Sequence, residues 1–148
     1  MKEQKVFTQF HKKTKRDYIG RMMNGKIHSM TKARKFEKEY WDGPRRYGYG
    51  GYKFIPGLIT PMAKRIIKIY KLNNSSKVLD AGCGKGFLLF EIKRLLPGIY
   101  IRGFDISKYG LKNSKKEIKK HLMIGDIKKK FSYKSKFFDL VLSFNCLH

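Results

Sequence analysis

The chain has 148 residues, with 35 Lys and Arg against 11 Asp and Glu, for a formal net charge of +24. Hydrophobic residues make up 41% of it and aromatic residues 14%, which is too apolar for a wholly disordered basic tail, so we expect a folded domain. No apolar run approaches the ~20 residues that cross a bilayer. The first residues also lack the apolar core of a secretory signal. These features predict a cytoplasmic protein without a membrane span.

Cysteine and histidine are sparse. Cys83 and Cys146 lie far apart, and the four histidines do not have the i, i+4 spacing of a helical metal site. The sequence therefore predicts two reduced thiols and no metal site.

The positive charge leaves a nucleic-acid partner open, because a basic surface attracts phosphate. Most of this charge is carried by Lys, however, whereas directed contacts to phosphates and bases favour Arg. We expect mainly a solvated surface. A basic nucleic-acid-binding protein is kept as the alternative from another functional class.

Residues 1–60 are expected to form a basic N-terminal arm and an aromatic cap. After a loosely patterned arm, the periodicity predicts a helix of about three turns that begins near Ser29 and ends at Gly43. The apolar positions of this helix are Ala33, Phe36 and Tyr40. Residues 45–57 then interleave tyrosine with glycine, which is typical of a loop.

Residues 61–148 are expected to form the core domain. Thr60 and Pro61 supply a capping hydroxyl and a proline at the start of a helix, which has one apolar stripe. The stripe consists of Met62, Ile66, Ile69 and Tyr70. Further helices are expected over 87–96 and 107–120, and strands over 77–81, 100–105, 122–124 and 138–143. Strands that alternate with helices predict an α/β fold with a doubly wound parallel sheet.

The glycine-rich run after the first strand carries the strongest functional signal. Gly82, Gly84 and Gly86 alternate with other residues and lead directly into a helix, so the backbone can approach a ligand closely. A dinucleotide fingerprint requires a small residue at position 87, where this chain has Phe87. Asp80 suits a ligand with an amino group and a sulfonium better than an anionic pyrophosphate. Lys85 is expected to point to solvent.

The run from Asp80 to Gly86, Asp-Ala-Gly-Cys-Gly-Lys-Gly, resembles the first motif of class I S-adenosylmethionine-dependent methyltransferases. Later residues resemble that family's further motifs in the same order. The resemblance implies a Rossmann-like sheet and S-adenosylmethionine as the cofactor. It implies that Asp80, Gly82, Gly84 and Gly86 hold the methionine part, that Asp105 bonds the ribose hydroxyls, that Asp126 faces the adenine amino group, and that Ile106 and Ile127 flank the adenine ring.

The resemblance also implies where the acceptor lies. The run from Phe138 to His148 is similar to the fourth motif, whose strand end faces the methyl donor and the substrate. Asn145 is our candidate for a group near the reaction, whereas His148, as the last residue, is a weak candidate for a base. Tyr47, Tyr49 and Tyr52 lie where the family places a variable lid, and a packed aromatic loop is the alternative. We expect a small-molecule, sugar or lipid-linked acceptor, and keep RNA or DNA as the alternative acceptor.

Only the first four of the family's seven strands are visible, so the chain resembles the N-terminal part of a longer enzyme. A fourth strand at the edge, lined by Phe138, Leu140 and Leu142, is a template for self-association. We therefore expect the 148-residue chain alone to be poorly soluble or inactive.

Overall fold

The computed structural model describes residues 19–20, 25–144 and 146. The chain divides into two compact units, and the division falls between Phe54 and Ile55, a few residues before the domain boundary expected from the sequence. No helix of the described residues is long and apolar enough to cross a membrane.

Within residues 25–54 of the first unit, two short helices take the place of the one longer helix that was expected. Helix α1 spans Lys26–Ala33 and helix α2 spans Lys38–Asp42. The prediction of one continuous helix is wrong because the backbone of Phe36, at φ 50°, adopts the left-handed conformation, which no helix can continue through. The end near Gly43 is confirmed.

Aromatic rings fill the interior of this unit. The indole of Trp41 stacks on Tyr49 at 5.2 Å between ring centroids, and its Nε1 donates a hydrogen bond to the Phe36 carbonyl at 3.0 Å. Tyr52 packs against both of these rings. Gly48 has no room for a side chain, since a Cβ there would collide with the Tyr40 carbonyl. The Tyr/Gly tract is thus folded onto α2.

The second unit is built on a parallel sheet of four strands, with the order β3-β2-β1-β4. The strands are β1 (Lys77–Ala81), β2 (Tyr100–Asp105), β3 (Leu122–Ile124) and β4 (Leu140–Leu142). The first three have the predicted bounds, whereas β4 is shorter than the expected 138–143. Phe138 lies before β4, where Asp139 bonds to the start of β1 through both its backbone and its carboxylate.

Three α-helices and a 3₁₀ helix complete this unit. They are α3 (Thr60–Ile69), α4 (Phe87–Leu95), α5 (Lys108–Lys112) and the 3₁₀ helix (Lys116–His121). The long helix expected over 107–120 is therefore interrupted. Thr60 does not cap α3 as predicted; its hydroxyl instead donates to Glu91 of α4 at 2.6 Å. Tyr70 was expected on the apolar stripe but is exposed, and Ala63 is buried on α3 beside Met62 and Ile66.

The two faces of the sheet are covered differently. Val78, Ile101 and Leu142 share the face that packs on α3, α4 and the 3₁₀ helix in the main core. Leu79, Ala81 and Phe104 share the other face, which is covered by aromatic and apolar residues of the β3–β4 connection. This asymmetry follows from topology, because right-handed crossovers put the connections on opposite faces when the direction of strand addition reverses. The reversal lies between β1 and β4, and the α/β fold is confirmed.

Candidate functional site

The carboxyl ends of β1 and β2 meet at the glycine-rich loop. Gly82, Gly84 and Gly86 have φ values of 79°, 58° and 69°, a conformation that L side chains rarely adopt. The Phe104 carbonyl accepts hydrogen bonds from the N–H groups of Gly82 and Cys83, at 2.9 and 3.0 Å. The loop therefore turns back over β2 before α4 begins, beside the point where strand addition reverses. Open α/β sheets bind ligands at such a point.

Asp105, the last residue of β2, is tied to the same loop. Its Oδ2 accepts a hydrogen bond from the Gly84 N–H at 2.7 Å, and its Oδ1 accepts one from the Ser107 N–H at 2.8 Å. Burial raises the pKa of Asp105, while these backbone hydrogen bonds oppose the rise. The carboxylate is thus fixed in orientation by backbone donors.

Asp80 is the more unusual acid, since its side chain is only 4% exposed. Burial, with a further contribution from the charge of Asp105, raises the pKa of Asp80 to about 7. Within the described part of the chain, no donor hydrogen-bonds to its carboxylate and no Lys or Arg forms an ion pair with it. A buried carboxylate without a partner costs free energy, and this cost falls when a cation or donor binds.

The predicted adenine-side residues follow β2 and β3. Gly125 bonds to the Asp105 carbonyl at 3.1 Å, so the β3 end lies beside the β2 end. Asp126 is half-buried, and its Oδ1 accepts the Lys128 N–H at 2.9 Å. Ile127 packs on Phe104, whereas Ile106 is 54% exposed. The sheet therefore brings Asp80, Asp105 and Asp126 together at the carboxyl ends of its strands.

One expectation for the loop is wrong. Lys85 was expected to point to solvent, but it is buried, and its Nζ lies 5.8 Å from the centroid of the Tyr109 ring on α5. The short loop between two glycines directs this side chain inward rather than outward.

Cys146 drew attention in the sequence as a possible catalytic residue but was not assigned to the site, and its side chain lies beside the glycine-rich loop. A Cβ added to Gly82 would meet the Cys146 side chain, so the segment after β4 packs directly on the glycine-rich loop. Burial and the charges of Asp105, Asp80 and Asp126 raise the pKa of its thiol. The signal in the sequence was its position after the fourth strand, which topology places next to β1.

Five further residues were predicted for the site from the sequence. Asn145 and His148 lie outside the described residues. Tyr47, Tyr49 and Tyr52 belong to the first unit, where Tyr47 is buried and the Lys32 and Arg46 cations lie 5.1 and 4.8 Å from its ring centroid. Among the described His, Cys, Asp and Glu side chains, no three cluster as a metal site would require.

Comparison with known proteins connects this geometry to a family. A family model described as a methyltransferase domain matches residues 72–148, just over half of the chain. This match includes every strand, the glycine-rich loop, and all three acids. No curated protein matches the sequence.

Solved structures with a similar fold include a candidate S-adenosylmethionine-dependent methyltransferase from Methanococcus maripaludis, with a TM-score of 0.51 and 18% identity over 98% of this chain and 54% of that one. A plantazolicin methyltransferase solved with S-adenosylhomocysteine has a TM-score of 0.47 and 20% identity, and the match covers 84% of this chain and 51% of that one. Coclaurine N-methyltransferase has a TM-score of 0.45 and 15% identity, and the match covers 91% of this chain and 44% of that one. The present chain thus spans about half the length of these structures, and the first of them supports the fold.

Proposed function

The chain belongs to the methyltransferase domain family, and on that premise we propose that the whole protein transfers a methyl group from S-adenosylmethionine to a small-molecule acceptor, such as a sugar or a lipid-linked intermediate. The observation that carries the proposal is the pair of buried acids, Asp80 and Asp105, beside a loop of three left-handed glycines. A ligand with one cationic end and a vicinal diol satisfies both acids.

The residues present fit this cofactor. Asp80 offers a buried carboxylate to the amino group and sulfonium of the methionine part, and no basic side chain within the described residues competes for it. Gly82 and Gly84 let the backbone approach, since neither carries a side chain on the ligand-facing turn. Gly86 completes the turn and is the N-cap residue that immediately precedes α4.

Asp105 would accept the two ribose hydroxyls. Each carboxylate oxygen can accept more than one hydrogen bond, so the bonds from Gly84 and Ser107 leave acceptor capacity for a diol. Those backbone bonds hold the carboxylate in place before a ligand arrives. Asp126 would accept from the adenine amino group, with Ile106 and Ile127 on the adenine faces.

Bound S-adenosylmethionine would supply an electrophilic methyl group, so the protein's task is to align the acceptor and exclude water. We assign the acceptor side to Asn145 and to a lid that includes Tyr47, Tyr49 and Tyr52. Glycine-hinged loops of this kind can close over a site.

Calorimetric titration of the folded chain with S-adenosylhomocysteine tests the proposal. We expect binding that NAD does not reproduce, and a loss of at least about tenfold in affinity for Asp105→Ala, the change expected when ~1.4 kcal/mol of hydrogen bonding is removed. Circular dichroism and a melting curve of both chains establish that the variant is folded. A folded wild-type chain that does not bind S-adenosylhomocysteine contradicts the proposal.

An RNA or DNA acceptor, or a nucleic-acid-binding role without catalysis, is the second candidate. It is favoured by a group of cations and rings on the face of the sheet away from the helices, where Lys77 lies over Phe137 and Arg102 over Tyr100. This candidate predicts oligonucleotide binding that weakens steeply with salt and survives Asp105→Ala.

We also propose that the edge of β4 supports self-association. Val141, in the middle of this strand, is 58% exposed, and among the described strands β4 pairs only with β1. The outward residue is thus Val141 rather than Leu140 or Leu142 as expected. A wild-type chain whose elution volume does not change with concentration contradicts this assignment, and Val141→Lys is expected to reduce association.

A further inference from the structure

The two cysteines of this chain have different surroundings. The Cys83 sulfur points toward the helix-covered core, where a Cβ on Gly103 would touch it together with Leu89 and Leu122. The Cys146 side chain lies against Gly82, at the point where strand addition reverses. Both side chains are half-buried, but of the two sulfurs only that of Cys146 lies against the glycine-rich loop rather than toward the core.

The carboxylates of the proposed site also act on the Cys146 thiol. Asp105, Asp80 and Asp126, the three acids assigned to the cofactor, all lie close enough to raise its pKa, in addition to the effect of burial. The thiol is therefore neutral at physiological pH, and its thiolate fraction grows only in alkaline solution.

A second, independent observation points to a ligand at these strand ends. The Asp80 carboxylate is more than nine-tenths buried and has no hydrogen-bond or ion-pair partner among the described residues. An uncompensated buried carboxylate indicates that a cation or donor normally completes the site. A group attached to the Cys146 sulfur would lie beside Gly82, in the loop that would approach this ligand.

We propose that Cys146 is a covalent modification site whose occupation closes the proposed cofactor site, and that its modifying partners are small disulfides and thiosulfonates. The inference rests on the proposed function. In the reaction, the Cys146 proton passes to solvent and the thiolate attacks the reagent's sulfenyl sulfur. A new S–S bond forms, and the reagent's own bond breaks to release a thiolate or a sulfinate. The added group lies beside Gly82 and Asp80, where the methionine part would bind.

The test uses methyl methanethiosulfonate on the Cys83→Ala chain, in which Cys146 is the sole thiol. The affinity of this chain for S-adenosylhomocysteine is first measured by calorimetry and serves as the reference. The modification of Cys146 is carried out at alkaline pH and its rate is measured by mass spectrometry. At a ligand concentration of ten times Kd, we expect this rate to fall about tenfold, because the fraction of the protein without ligand falls by that factor. We expect the modified chain to lose ligand affinity and a thiol reductant to restore it.

The matched control is the Cys146→Ala chain, which keeps only Cys83. Its modification rate should not respond to S-adenosylhomocysteine, because the Cys83 sulfur faces the core. If the ligand binds but neither protects Cys146 nor is excluded by the modification, the inference is wrong while the proposed function stands. If the folded, unmodified Cys83→Ala and wild-type chains both fail to bind, the proposed function and this inference fall together.

Discussion

The Asp105 carboxylate and the Gly84 backbone are joined by a hydrogen bond of 2.7 Å, so the acid assigned to the ligand also fixes the loop that approaches the ligand. The second oxygen of Asp105 fixes the turn into α5 through Ser107. One side chain therefore couples the geometry of both connections at the site.

Asp105→Asn should destabilise the fold as well as the site. An amide has one acceptor oxygen, so one of the two backbone donors loses its partner and faces an N–H group. The expected cost is about 1–3 kcal/mol in the free energy of unfolding, measured by urea denaturation. Asp126→Asn is the matched control, because its single bond from Lys128 uses one oxygen that an amide retains. Equal stabilities of the two variants would contradict this account of Asp105.

Asp80 should make stability fall as pH rises. Its pKa is about 7 in the folded chain and 3.8 in the reference state, so the folded state binds more protons between these values. Unfolding free energy is then lost progressively between about pH 4 and 7, by a few kcal/mol in total. Asp80→Asn should remove this pH dependence and raise stability at pH 8, while it weakens binding of S-adenosylhomocysteine. A variant whose pH profile matches that of the wild type would refute this assignment.

Gly82→Ala should be destabilising for two separable reasons. The φ of 79° is unfavourable for alanine by about 1 kcal/mol, and the new methyl group collides with Cys146. The double variant Gly82→Ala/Cys146→Gly removes the collision and keeps the backbone strain. We expect Gly82→Ala to cost less unfolding free energy in the Cys146→Gly chain than in the wild-type chain. A double-mutant cycle of urea denaturation measures this difference. Strict additivity would show that the two residues do not touch.

The contribution of Glu91 to stability should depend on pH in the opposite direction to that of Asp80, and increase as pH rises. It is only 2% exposed, and accepts hydrogen bonds from Thr60 at 2.6 Å and from Arg94 at 2.9 Å. The Arg94 hydrogen bond, more than the bond from Thr60, lowers its pKa. The stability it contributes is therefore present above about pH 4.5 and lost as pH falls through the lowered pKa.

Thr60→Val removes the side-chain hydrogen bond between α3 and α4. It should lower the free energy of unfolding by about 1 kcal/mol at neutral pH, as measured by urea denaturation. Arg94→Ala removes the other hydrogen-bond partner of Glu91. It should raise the pKa of Glu91, so the folded chain should begin to lose stability at a higher pH on acidification. Unchanged acid unfolding in Arg94→Ala would be evidence against this arrangement.

Trp41 is the chain's single tryptophan and reports on the first unit. Tyr49→Ala removes its stacking partner and should cost about 1 kcal/mol beyond the lost burial, with a change in indole fluorescence. If the tract acts as a lid, S-adenosylhomocysteine should also change the fluorescence of the wild-type chain, and Tyr47→Ala and Tyr49→Ala should alter affinity or turnover. Affinity and turnover that both stay at the wild-type level would leave the tract with a packing role.

The sequence was most informative where its local signals and the fold agree. Strands β1, β2 and β3 have their predicted bounds because short apolar runs that end before Gly82, at Asp105 and before Gly125 admit few alternatives. The segment around Phe36 was predicted less well, since the turn there depends on contacts with Tyr40 and Trp41 that lie several residues away. The same holds for Thr60, whose hydroxyl bonds to a side chain 31 residues later rather than to its own helix.

The candidate site shows a similar division. The resemblance to methyltransferase motifs indicated Asp80, Asp105 and Asp126, and the parallel sheet brings the strand ends that carry them together. The burial of Lys85 and the packing of Cys146 on Gly82 depend on the orientation of single side chains, which no spacing rule encodes.

The connection between β3 and β4 covers one face of the sheet without a helix, and this has a consequence for hydrogen exchange. Only a few of its amides, including those of Gly125, Lys129, Phe137 and Asp139, donate backbone hydrogen bonds that close its turns or join it to β1 and β2. Local opening of such a segment requires far less than global unfolding. Deuterium should therefore enter its remaining amides long before it enters α3 or α4, so the two sides of one sheet would differ in protection.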